Sequence, residues 1–146
     1  RYVMGVLPHM VLCVLFYAVR VKTTNRVVWI TRYYGVDRPN IRALIGYTWY
    51  SNSARGTLIN KECKYLLLRQ LFEHYEAIAV EFRTHIGNTV SRKAIEGLGA
   101  NLDGIVRYHQ ILKDGSVRDT VVYSIIDSEW PEVKQGFLKK LSQQEP

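Results

Sequence analysis

An α+β fold, with a mixed, mostly antiparallel sheet, one parallel strand pair and flanking helices, is predicted by three observations. Stretches of period-two hydrophobicity joined by short polar turns open and close the chain. Segments with helical periodicity interrupt them. The first helical segment lies between two strand-like ones, and a strand–helix–strand crossover makes its two strands parallel where hairpins make the others antiparallel.

The elements follow in order. "VLFYAVRV" is β-branched and aromatic, "KTTN" is a polar turn, and "RVVWITRYYGV" answers as the second strand of a hairpin. "DRPN" breaks the chain, "IRALIGYTWY" is a third strand, and "SNSARGT" is a turn-rich loop. From Asn60 the period becomes helical. Asn60 reads as the N-cap and Glu62 sits in the first turn, while Leu67, Leu68, Leu71, Phe72 and Tyr75 share one face, opposite Glu62, Arg69, Glu73 and Glu76. This makes an amphipathic helix of about four turns. "AIAVEFRT" alternates as a strand, with Ile78, Val80 and Phe82 on one face and Glu81 and Arg83 on the other. "NTVSRKAIEGLGA" is a second helix, capped by Asn88 and stopped by Gly99. "LDGIVRYHQIL" and "VRDTVVYSII" close a hairpin through "KDGS", and "SEWPEVKQGFLKKL" is a last helix with Ser128 as N-cap. The order is β-β-β-α-β-α-β-β-α.

Composition narrows the function. The 146 residues, 47% hydrophobic and 23% charged, suit a single globular domain over residues 1–146 that buries roughly two-thirds of its unfolded surface. A net charge of +7 points to a polyanionic partner, but the basic residues are scattered and form no tail, which disfavours a nonspecific nucleic-acid binder. Cys13 and Cys63 form no metal or disulfide pattern, so a reducing, cytoplasmic setting is expected. The apolar N-terminal stretch contains Pro8 and His9, runs into Arg20 and Lys22, and falls short of the roughly 20 apolar residues of a membrane span. Its second half reads as a buried strand. The chain begins at Arg1, which suggests that N-terminal elements are truncated.

The chemistry is expected at the crossover. The loop "SNSARGTLIN" sits at the carboxyl end of a strand, where ligands bind in open sheets, and the following helix directs its unpaired N–H groups at it. The helix after Asn88 starts beside the parallel partner strand, so two helix N-termini converge on one crevice.

The segments "IGYTWY", "ARGTLINKECKYLLLRQLFE", "VEFRTHIGNTVSRKAIEGLGA" and "DGIVRYHQILKDGSVRDTVVYSIIDSEW" together resemble the GNAT-fold N-acetyltransferases, within them the RimJ/RimL-type branch, over about residues 16 to 135. The resemblance implies acetyl transfer from acetyl-CoA to an amine-bearing acceptor, peptide or small molecule, with no membrane partner and compatible with a homodimer. It also implies that the parallel strands splay and that Thr48, Trp49 and Tyr50 offer an open edge to the pantetheine arm. Arg55, Gly56, Thr57, Leu58, Ile59 and Asn60 would hold the pyrophosphate, with Leu58 standing where relatives commonly have Gly. Leu is unstrained there at negative φ and strained in the left-handed region. By the same resemblance Asn88 approaches the pantetheine, and Ser91, or a tyrosine nearby, protonates the leaving thiolate from a helix N-terminus of suitable polarity; the alternative for Ser91 is a bond to a backbone group of its own first turn. Glu81 is the first candidate for the base, ahead of Glu62 and His85, with a water relay as an alternative. Arg118 and Asp119 are expected to be structural or substrate-side. The aromatic set Trp29, Tyr33, Tyr34, Tyr47, Trp49 and Trp130 is expected in the core or the acceptor pocket rather than as a nucleic-acid stacking platform. Two rival readings are a CoA-binding module without turnover and a basic nucleic-acid-binding domain.

Overall fold

The computed structural model describes residues 14–52 and 59–143, and the backbone of residues 2–11. Among the described residues seven strands form one sheet: β1 (Tyr2–Val11), β2 (Val14–Val21), β3 (Val27–Asp37), β4 (Arg42–Tyr50), β5 (Ala79–His85), β6 (Asn101–Ile111) and β7 (Val117–Ile126). Their spatial order is β1-β2-β3-β4-β5-β7-β6. Every neighbouring pair is antiparallel except β4 and β5, so the expected mixed sheet with a single parallel junction is present. The helices are α1 (Ile59–Arg69), prolonged by a π-helical turn over Gln70–His74, then α2 (Thr89–Glu96) and α3 (Trp130–Ser142).

Several local expectations need correction. The first strand, β1, was not among the predicted elements. It pairs only with β2, and an edge strand tolerates the missing N–H of Pro8 beside the register break between Leu7 and Val11. Asn60 lies inside α1 rather than capping it, and its side-chain oxygen accepts the Tyr50 hydroxyl at 3.0 Å. Tyr75 falls beyond the π-helical turn, which rotates it off the apolar stripe, and it is exposed. Ile78 precedes β5 and is also exposed, while Val80 and Phe82 are buried as expected. α2 ends at Glu96, before Gly99, whose φ of +96° instead serves the turn onto β6. Ser128 sits in a 3₁₀ turn, and α3 starts at Trp130 with Pro131 in its first turn.

The core runs under α1. Trp29, Leu67, Leu68, Val80, Val121, Tyr123 and Ile125 are essentially inaccessible. Trp130 stacks on Phe72 and Tyr65, so α3 clamps α1 against this core. Among the described residues no helix is long and apolar enough to cross a membrane.

Candidate functional site

The parallel pair is zipped only at one end. Arg42, Ala43 and Leu44 pair with Ala79, Val80 and Glu81, and beyond them β4 and β5 separate. Each strand residue turns its backbone groups to one neighbour or the other, so past Leu44 the groups of β4 that point away from β3 meet no strand among the described residues. The gap opens into a crevice of about 340 Å³. Ile45, Thr48 and Tyr50 of β4 line it, with Phe82 of β5 and Asn88 and Ser91 of α2.

A bulge shapes the open end of β4. Ile30 pairs with Trp49 and Arg32 with Gly46, so Tyr47 and Thr48 together oppose the single residue Thr31. Tyr47 adopts φ +53°, an uncommon conformation for an aromatic residue, and is held there by the Arg32 guanidinium 3.3 Å from its ring centroid and by an edge contact with Tyr34. Gly46 is required next to it, because a Cβ there would come within 2.8 Å of the Tyr34 ring. Glycine inside a predicted strand is the signal that could have announced this bulge.

Beneath the bulge runs a chain of polar contacts. Thr31, fully buried, donates to the Gly46 carbonyl at 3.1 Å, and its hydroxyl meets that of Thr48 at 3.0 Å. Thr48 accepts from Lys64 Nζ at 3.1 Å. Lys64 was missed by sequence reasoning. It is buried in the crevice wall with the Trp29 and Phe82 rings within 6 Å of Nζ, and burial pushes its pKa down to about 7. Its position three and four residues before Leu67 and Leu68, on the apolar stripe of α1, was the available clue.

The expected site residues divide into three groups. Thr48, Tyr50, Asn60, Asn88 and Ser91 converge on the crevice, and Asn88 caps α2 by accepting the Ser91 N–H at 3.0 Å. Among the described residues the Ser91 hydroxyl makes no hydrogen bond, so it does not bond back to its own helix. Trp49 alternates away and is exposed, and Ile59 is buried in the core at the start of α1. Glu81 lies at the zipped end, where its carboxylate accepts from Arg83 and faces Arg42 at 3.5 Å; it does not line the crevice. Arg55, Gly56, Thr57 and Leu58 lie outside the described residues.

A second cleft of about 350 Å³ adjoins the first, with Tyr47, Arg83 and Asn88 lining both. Tyr34 lines it, and since Tyr34 alternates with Tyr33, whose hydroxyl donates to Leu67 of α1, this cleft opens on the other side of the sheet from α1. Of the aromatic set, Trp29, Tyr33 and Trp130 are buried, whereas Tyr47 and Trp49 are exposed. The described residues contain no cluster suited to a metal ion.

No protein-family model matches the chain, and a search of curated proteins finds no match either. Solved structures do match. A protein assigned as an acetyltransferase from T. thermophilus is 34% identical, with TM-score 0.78 over 88% of this chain and 66% of that one. A GCN5-related N-acetyltransferase from Brucella melitensis is 30% identical, with TM-score 0.81 over 86% of this chain and 56% of its own. A ribosomal-protein-S5-alanine acetyltransferase from Vibrio fischeri, at 17% identity and TM-score 0.71, covers 81% of this chain and 64% of its own, and shares the fold. The chain thus spans less than two thirds of each of these structures, and it has the GNAT acetyltransferase fold.

Proposed function

We propose that this chain is an N-acetyltransferase that moves an acetyl group from acetyl-CoA to a primary amine by direct attack in a ternary complex. The observation that carries the reading is the splayed pair, whose open β4 edge, two converging helix N-termini and adjoining second cleft suit an extended amide-bearing donor on one side and an acceptor on the other. The acetyltransferase fold of the matched structures supports the same chemistry.

When bound, acetyl-CoA supplies an acyl carbon already activated as a thioester. The chain's residues do the remaining work. Backbone groups of β4 from Gly46 to Tyr50 hold the arm as an added strand, and an N–H freed by the bulge polarises the carbonyl. Arg55, Gly56, Thr57 and Leu58, with Ile59 and Asn60 at the head of α1, bind the pyrophosphate. Asn88 fixes the first turn of α2 so that the Ser91 hydroxyl protonates the departing thiolate. Glu81 acts here by holding Arg83 at the boundary of the two clefts, and the amine's proton leaves to water. The Vibrio fischeri protein acts on a ribosomal-protein amine, and a peptide N-terminus is one acceptor this reading admits beside small amines.

Acetyl-CoA should raise the melting temperature, and an amine acceptor should then release free CoA thiol. Ser91→Ala should keep the thermal shift while lowering kcat roughly a hundredfold, the lower end of what a positioned acid contributes. No shift at millimolar acetyl-CoA would sink the proposal, and a shift with no thiol released from any acceptor would leave a CoA-binding module.

A further inference from the structure

The second cleft has a chemical character that the general reaction does not require. It is framed by two distortions of the sheet. On one side stands the β4 bulge with Tyr47, and on the other β6 bulges where Val106 pairs with Thr120 and Gln110 with Arg118, so that three residues oppose Asp119 alone. Tyr108, in the middle of that second bulge, also has a positive φ, +52°, and its N–H donates to the Asp119 carboxylate at 2.7 Å. This second bulge carries His109 into the cleft.

The side chains pointed into it are donors. Arg118 spends only Nε within the fold, on the buried Thr120 hydroxyl at 3.2 Å, and the two terminal nitrogens of its fork make no hydrogen bond among the described residues. The Thr120 hydroxyl also meets His109 Nδ1 at 2.9 Å, and in the tautomer where it donates there His109 keeps its N–H at Nε2. His85 reaches the same state by another route, since its Nδ1 accepts the Gly87 N–H at 2.8 Å. Arg83 and Asn88 add donors at the boundary with the first crevice. Among the described residues no carboxylate lines the cleft. Glu81 is engaged by Arg83 and Arg42, and Asp119 accepts the Tyr108 N–H.

From this we infer that the preferred acceptor is a primary amine that also carries a carboxylate, which Arg118 takes on its free fork with His85 and His109 donating beside it, while the amine lies at the boundary shared with the crevice. The inference rests on the acetyltransferase reading and names its substrate class. A polyamine would bring only positive charge to a cleft that already holds two arginines, whereas a carboxylate suits a planar fork and imidazole N–H groups. The carboxylate can come from a free amino acid or from an acidic residue near a peptide N-terminus.

The test uses matched acceptors: glutamate and glutamine-amide as small molecules, peptides opening Ala-Glu and Ala-Gln, and spermidine. Thiol release should favour each carboxylate-bearing member over its amide partner by at least about tenfold in kcat/KM, the value of one charge-assisted hydrogen bond. Whether glutamate or the Ala-Glu peptide leads identifies the source. Arg118→Gln should remove the preference and leave the acetyl-CoA thermal shift in place. A second readout needs no turnover: the His85 and His109 imidazole resonances should move saturably with the Ala-Glu peptide, about tenfold less tightly with Ala-Gln, and the difference should vanish in Arg118→Gln. Equal handling of acid and amide, or a preference for spermidine, in either readout would overturn this inference while leaving the acetyltransferase reading standing. Loss of the acetyl-CoA shift in the unmodified chain would instead overturn that reading.

Discussion

The two ends of the β4–β5 pair are built from the same kind of sequence and do opposite things. At the zipped end Ala43 and Val80 are buried, three residue pairs are in register, and Glu81 is braced between two arginines. At the open end the strand that follows, from Ile45 to Tyr50, pairs only with β3, carries a bulge, and is supported from below by Thr31, Thr48 and Lys64. A crevice of this kind is made by removing pairing while replacing its support. Two threonine hydroxyls and a buried lysine amine brace this stretch of β4.

That contrast can be broken in stages. The largest effect is expected from Phe82→Ala, which removes the ring that fills the floor of the open end; chemical denaturation should report a loss of about 3–5 kcal/mol. Lys64→Met comes next and is read through pH. The unfolded lysine keeps its proton to about pH 10.5 and the buried one only to about 7, so between these values the unfolded chain binds more protons and stability rises with pH. Stability should rise with pH between about pH 7 and 9 in the parent chain, and that rise should be absent in Lys64→Met. Above pH 9 Cys63 opposes it, since burial raises its thiol from 9.0 to about 12 and the unfolded chain then loses its proton first. The smallest effect belongs to the zipped end. Glu81→Gln should change stability by about 1 kcal/mol or less, because its arginine partners are 37% and 43% exposed, and should shift kcat by less than about tenfold. A hundredfold fall in kcat would return Glu81 to the role of base.

Much of this was legible in the sequence, for identifiable reasons. The parallel junction followed from a helix lodged between two strands, and the Asn88 cap from a short polar residue at the start of an apolar period; both are local rules that the fold obeys. Asn60 obeyed a stronger demand than capping, the hydroxyl of Tyr50. Lys64 escaped because a lysine on an apolar stripe reads as an interruption until the tertiary fold lays it over Thr48. His109 and Arg118 sit on the two arms of one hairpin, but His85 is distant along the chain, and only the antiparallel pairing of β5 with β7 brings it to their cleft. Periodicity predicts strands but not the bulges that aim side chains out of register, and here the bulges at Tyr47 and Tyr108 frame the second cleft.

In the proposed reaction the donor binds along the open edge of β4. Hydrogen exchange of the backbone amides, compared with and without acetyl-CoA, tests it most directly. New protection confined to residues 46–50 and to the first turn of α2 at Thr89–Ser91, with no change at residues 42–44, is the expected result. Protection spread evenly over the sheet, or none at residues 46–50 when acetyl-CoA is saturating, would contradict it.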